Sequence, residues 1–274
     1  MARIDHHGAY SFLIYYGIWL IFFGKGSLIP DRYIVFFIVI FGLLPDFDGI
    51  YWLIKRRGEG GMGTDFQHHL YFWTHWPISF TPIIGLFVIS VILNFFPEYF
   101  LMPVIGIYCG HFLFDSISCG DGLMWGKIPW KRGRYARYIN LMPARVDGYH
   151  GVYWEARYRK TLISKIGNVA VLLSIIIIFI FQINSIIEHF NDGNPPGISG
   201  YFLFPIIFFI IALRIGLKKP SAKALEEPPE GRYADYRVNL NYINGLSKKN
   251  QKKHLEKYSV LLEKKGIMEK IKLK

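Results

Sequence analysis

Long apolar runs alternate with polar breaks of very unequal length through the first 217 residues. Ala9 to Phe23 is the first run, shorter than the roughly 20 residues that a full membrane span needs, with Tyr15, Tyr16 and Trp19 inside it. A turn follows, and Pro30 stands where a new helix starts. Ile34 to Leu44 is the second run, and Pro45 with Asp46 and Asp48 closes it. Residues 48–75 are a polar excursion whose Gly-rich stretch, Gly58 to Gly63, has loop chemistry. Pro77 to Phe96 and Tyr99 to Ile117 are the third and fourth runs, joined so tightly at Pro97-Glu98 that they must be antiparallel neighbours. Ile166 to Ile187 is the clearest spanning pattern, and Tyr201 to Leu217 is the sixth run. From Lys218 onward Pro220, Pro228 and Pro229 make a linker, and Leu255, Tyr258, Leu262 and Ile267 form one stripe of a short amphipathic helix.

Composition turns these runs into membrane spans. Hydrophobic residues make up 52% of the chain and aromatic residues 18%, beyond what an ordinary soluble domain carries. The fold class expected is all-α: a polytopic helical bundle of about six transmembrane helices over residues 1–217, with a short soluble basic tail over 218–274. The net charge of +12 is unevenly spread. Ten Lys and Arg fall in the aromatic loop 118–165, and the tail carries fifteen Lys and Arg against seven Asp and Glu. Positive loops remain in the cytoplasm, so a multi-pass chain with both termini cytoplasmic is expected. The mixture of rings and cations in 118–165 suits a membrane-surface belt, which makes lipid a partner. Cys109 and Cys119 rule out a disulfide framework and argue against a thiolate metal site.

The polar residues at the edges of the runs carry the candidate chemistry. His6 and His7 precede the first run, Asp46 and Asp48 end the second, Thr74-His75 begins the third after His68 and His69, and His111 with Asp115 lies near the end of the fourth. Each has an ordinary structural role open to it: Asp48 can cap a helix, and His111 and Asp115, one helical turn apart, can hydrogen-bond each other. Thr74 can hydrogen-bond a ligand or cap the third helix. Under the expected topology, however, all of them fall on one face of the membrane. Carboxylates and imidazoles at an apolar edge need pairing or coordination. An oxygen and nitrogen set of this kind suits a hard or borderline divalent metal, zinc first among them, as one ion or two. The ligand set expected is His7, Asp46, Asp48, His69, His75, His111 and Asp115, with Asp48 and Asp115 as the candidate catalytic carboxylates.

The order Gly-x-Leu-Pro-Asp-x-Asp over 42–48, a His-containing segment ending Thr-His at 74–75, and Gly-His-x-x-x-Asp over 110–115 resembles the bacterial and archaeal membrane-bound metal-dependent hydrolases, also called the LexA-binding, inner-membrane-associated hydrolase family. His6 or His7 matches a His that the family places before its first span, and the run Gly122 to Trp130 is similar to its Gly-containing element. Two departures stand out: the upstream His lies six or seven residues before His75, and Trp76 replaces a Ser. The resemblance covers residues 1–135 and implies a prokaryotic inner-membrane hydrolase whose site faces the cytoplasm. A basic aromatic loop beside such a site points to an amphiphilic phosphoester substrate. The alternatives are a metal or ion transporter, which would place its site nearer the midplane of broken helices, and a non-catalytic anchor or scaffold acting through its basic tail. Nucleic acid is not an expected partner.

Overall fold

A computed structural model describes residues 3–24, 27–56, 72–118, 158–191, 198–219, 237–238 and 240–273. It is all-helical, with no strand among the described residues. Helices α1 (Ile4–Phe22), α2 (Arg32–Leu43), α3 (Asp48–Arg56), α4 (Thr81–Ile92) and α5 (Pro97–Val104) are followed by a π-helix (Ile105–Leu113) and by α6 (Phe114–Ser118). Then come α7 (Leu162–Asn191), α8 (Gly200–Gly216), α9 (Leu240–Gly245) and α10 (Lys248–Lys264).

Two boundaries differ from the sequence pattern, each for a local reason. Helix α1 starts at Ile4, so His6 and His7 lie inside it; both are buried against neighbouring helices, which makes the polar first turn part of the core. The second run does not end at Pro45. Pro45 takes an early position in a 3-10 turn, Leu44–Phe47, where its missing N–H costs no helical bond, and the chain continues into α3.

The helical segments alternate in direction. The Tyr15 hydroxyl donates to Glu98 O and that of Tyr16 to Leu28 O at one end of α1. At the other end Arg3 donates to Ala212 O near the end of α8. Tyr33 and Tyr201 meet edge to face where α2 and α8 begin, with the Arg32 guanidinium over both rings. A core of Phe12, Tyr15, Ile38, Val39, Ile178 and Phe209 holds α1, α2, α7 and α8 together. Arg32–Tyr51 and Leu162–Asn191 are long and apolar enough to cross a membrane, with Pro77–Ile92 and Gly200–Gly216 as shorter apolar helices. Only 39% of the most apolar window of Leu162–Asn191 is buried, unlike the central helix of a water-soluble protein. Large apolar side chains such as Ile176, Phe179, Ile180, Ile207 and Ile211 point outward from α7 and α8.

Candidate metal centre

Close helix packing sets the first residues of the site. A Cβ added at Gly42 on α2 or at Gly110 in the π-helix would fall on Ser11 Oγ of α1, so neither position has room for a side chain. Ser11 donates to His7 O at 2.7 Å and reaches Gly106 O at 3.2 Å, holding α1 to the π-helix. The same two glycines accept from the site's imidazoles through their carbonyls: His111 Nδ1 donates to Gly42 O at 2.8 Å and His7 Nδ1 to Gly110 O at 3.1 Å. A π-helix inside a helical segment is a recurrent device at functional sites, because its wider turn redirects side chains and carbonyls.

His75 is fixed differently. It closes a 3-10 turn, Trp73–His75, and its Nδ1 donates to Asp48 Oδ2 at 2.7 Å. Thr74 Oγ1 donates to the same carboxylate oxygen at 2.8 Å. Every Nδ1 partner of the three rings is an acceptor only, so in the neutral imidazoles each Nδ1 carries the proton and each Nε2 presents a lone pair.

Those lone pairs converge. His75 Nε2 and His111 Nε2 are 3.3 Å apart. Asp46 Oδ1 lies 3.5 Å from the first and 3.9 Å from the second. Asp115 reaches His7 Nε2 with Oδ1 at 3.2 Å and His111 Nε2 with Oδ2 at 3.4 Å. All four of His7, His75, His111 and Asp115 have 0% exposure, so bulk water does not screen the assembly. A proton or a metal ion can sit between acceptors that face one another in this way. Two triads have ligand atoms close enough to hold a metal ion: Asp46, His75 and His111, and His7, His111 and Asp115.

Geometry separates the two triads. A metal lies in the plane of each imidazole that binds it. The His75 and His111 rings are inclined at 62° with their Nε2 atoms 3.3 Å apart, so both lone pairs can address one ion. His7 and His111 are stacked at 3.9 Å with only 21° between them, and planes so nearly parallel do not meet at bonding distance. The 3.3 Å between the two Nε2 atoms also suits a tetrahedral ion with bonds of about 2.0–2.1 Å.

Six of the seven candidate ligands, His7, Asp46, Asp48, His75, His111 and Asp115, are thus brought to one end of the helices, while His69 and its neighbour His68 lie outside the described residues. Asp48 stands behind His75 rather than among the converging atoms. His6 is turned to the opposite side of α1: its Nδ1 meets Tyr158 Oη at 2.9 Å and its Nε2 meets Asn168 Oδ1 at 3.2 Å. Arg3 also donates to Asn168 Oδ1, at 3.0 Å, and pairs with Asp5 at 2.6 Å. Neither this second network nor Ser11 is visible in the motif spacing. The nearest sequence signals are the polar run Arg3 to His7 and the i, i+4 placement of Ser11 after His7.

Comparison with protein-family models, curated proteins and solved structures finds no match to this chain. The buried His and Asp clusters themselves carry what can be said of the site: they can hold a metal ion.

Proposed function

We propose that this chain is a membrane-bound metal-dependent hydrolase with one divalent ion, zinc by preference, on Asp46, His75 and His111. The facing Nε2 lone pairs of His75 and His111 are the observation that carries the reading. His111 has only Nε2 to give, since Nδ1 is committed to Gly42 O, so it cannot serve both triads at once. Three protein ligands leave a fourth position for water or substrate, as hydrolytic sites require. When bound, the ion supplies Lewis acidity and brings the pKa of a coordinated water to about 7.

The protein's own groups divide the remaining work. Asp115, held between His7 and His111, is placed to take a proton from the attacking water. His7 then steadies the protonated pair from the Gly110 side. Asp48 acts as a positioning residue that fixes the His75 tautomer, the role of a carboxylate behind a metal-binding imidazole. Asp46 and His75 hold the ion, as the ordered motifs of the resembling family also imply.

The membrane setting is part of the proposal. Six segments, α1, α2, α4, the α5–π–α6 segment, α7 and α8, cross or line the bilayer in alternating directions. The outward apolar faces of α7 and α8 meet lipid. Basic residues cluster where α7 begins and α8 ends, with Arg159 Nη1 donating to Lys218 O at 2.8 Å, and the positive-inside rule makes that end cytoplasmic. The metal centre lies at this same end, through Arg3 and Asp5 at the start of α1. Headgroup depth suits an amphiphilic phosphoester, whose scissile group sits at the interface while its apolar part stays in the bilayer.

Metal content of the detergent-purified protein tests the reading, beside Asp46→Ala, His111→Ala and Asp115→Asn. Near-stoichiometric metal in the parent, its loss in the first two variants and its retention in Asp115→Asn without phosphodiesterase or esterase activity is the expected result. A folded, metal-supplemented parent that holds no metal overturns it.

A further inference from the structure

The basic tail holds a surface that the proposed hydrolase chemistry does not use. Helix α10 begins at Ser247, whose hydroxyl oxygen accepts from Asn250 N, and ends before Gly266, whose φ of +62° is the left-handed turn that stops a helix. One face of α10 is spent on internal packing. Leu262 is buried, Gln251 Nε2 donates to Ile243 O and Lys272 O, and His254 Nε2 lies 3.1 Å from Arg237 O. Asn244 Oδ1 accepts from Lys272 N at 2.9 Å, tying the segment after α10 back to α9.

The opposite face is basic. Lys248, Lys249, Lys252, Lys253 and Lys257 are all exposed and share one half of the helix with a single acid, Glu256, over the first ten residues. No acidic residue occupies the first turn. Lysines there oppose the positive end of the helix dipole, so this arrangement costs local stability and strengthens the field seen by an anion. Val260, 78% exposed, is the one large apolar side chain facing out of α10. The helix therefore offers charge outward and has no free apolar face to insert.

We infer that the Lys248–Lys257 face of α10 docks on an anionic membrane surface at the cytoplasmic side, through electrostatics without insertion. This rests on the membrane reading of the helices above. The 19 residues between Leu217 and Arg237 tether the tail, and at full stretch they span only about 65 Å. The end of α8 is itself basic, with Arg214, Lys218 and Lys219, so the tail leaves from the positive end of the protein. A polybasic segment held at that range sees anionic headgroups at high effective concentration. Docking through charge without insertion also predicts strong salt dependence, since the Debye length falls to about 3 Å at 1 M salt.

The full chain is reconstituted into nanodiscs of phosphatidylcholine alone or with one third phosphatidylglycerol, and acetylation of individual lysines is followed by mass spectrometry. The expected result is at least threefold slower modification of Lys248, Lys249, Lys252 and Lys253 on the anionic discs, with Lys265 unchanged as the internal reference. Protection of Lys257 should vanish at 1 M NaCl and in the variant Lys248→Gln/Lys249→Gln/Lys252→Gln/Lys253→Gln, whose substitutions lie away from the packed face. Equal rates on both discs overturn the inference. Equal rates on both discs with protection by added duplex DNA overturn it in favour of nucleic acid. A chain that stays out of the discs altogether overturns the membrane reading, a failure distinguishable from that of the tail.

Discussion

His6 and His7 are neighbours in sequence and both fully buried, yet they stand in opposite kinds of polar cluster. Around His6 the donors and acceptors match. Asn168 Oδ1 accepts from Arg3 and from His6 Nε2–H, and His6 Nδ1 accepts from the Tyr158 hydroxyl. Arg3 and Asp5 neutralise each other. Around His7 the groups that face one another are lone pairs and carboxylates: His7 with Asp115, His75 with His111, and Asp46 with both of the latter. The first cluster is complete as a hydrogen-bonded network and fastens α1 to α7 and α8. The second brings its ligand atoms close enough together to hold a metal ion. Burial alone therefore does not mark a site; the convergence of ligand atoms does.

That contrast can be broken in three places. His111→Ala removes the ring common to both triads and should weaken metal binding by more than about 100-fold, beyond the usual effect of an outer partner. Equilibrium titration with a competing chelator measures it, and a variant that binds like the parent would erase the distinction between the clusters. Asp48→Asn keeps the shape behind His75 but loses the carboxylate that orients Nδ1, and should cost roughly 10–100-fold in affinity. Asp48→Glu is expected to recover part of it, which a purely packing role would not. His6→Ala should leave metal affinity within a few-fold and lower stability by about 1–3 kcal/mol, because the Tyr158 hydroxyl and Asn168 lose a buried partner. Thermal melting in detergent beside metal content separates these two readouts. A His6→Ala variant that melts normally but binds no metal would reverse the assignment.

Much of the helical layout was legible because apolar runs between Pro and Gly breaks report burial and length directly: α4 through α6 and α7 with α8 follow the runs from Pro77 to Leu217 closely. Candidate site residues were legible as residue types out of place, since Asp46, His75, His111 and Asp115 stand in otherwise apolar surroundings. What the spacing could not tell was which way each faces. His6 and His7 are equivalent as letters, and only the seating of α1 against Asn168 on one side and Gly110 on the other distinguishes them. Asp46 and Asp48 likewise look like a pair of ligands. The 3-10 turn at Leu44–Phe47 turns one towards His111 and the other behind His75. The π-helix was hidden for the same reason: its sequence, Ile105 to Leu113, is ordinary apolar helix, and the wider turn arises where Gly106 and Gly110 let α1 and α2 come close. The short amphipathic helix of the tail was legible in Leu255, Tyr258 and Leu262, of which Leu262 is buried, whereas Ile267 lies past the helix end at Lys264.

The proposed ligands come from three separate stretches of chain, with 29 residues from Asp46 to His75 and 36 from His75 to His111. An ion joining them would be a cross-link as well as a reagent. By the reckoning used for disulfides, closing loops of this size removes about 3–4 kcal/mol of chain entropy each from the unfolded state. On this account the centre would be the staple for the first half of the molecule, and chelation would act on it as reduction acts on a secreted protein.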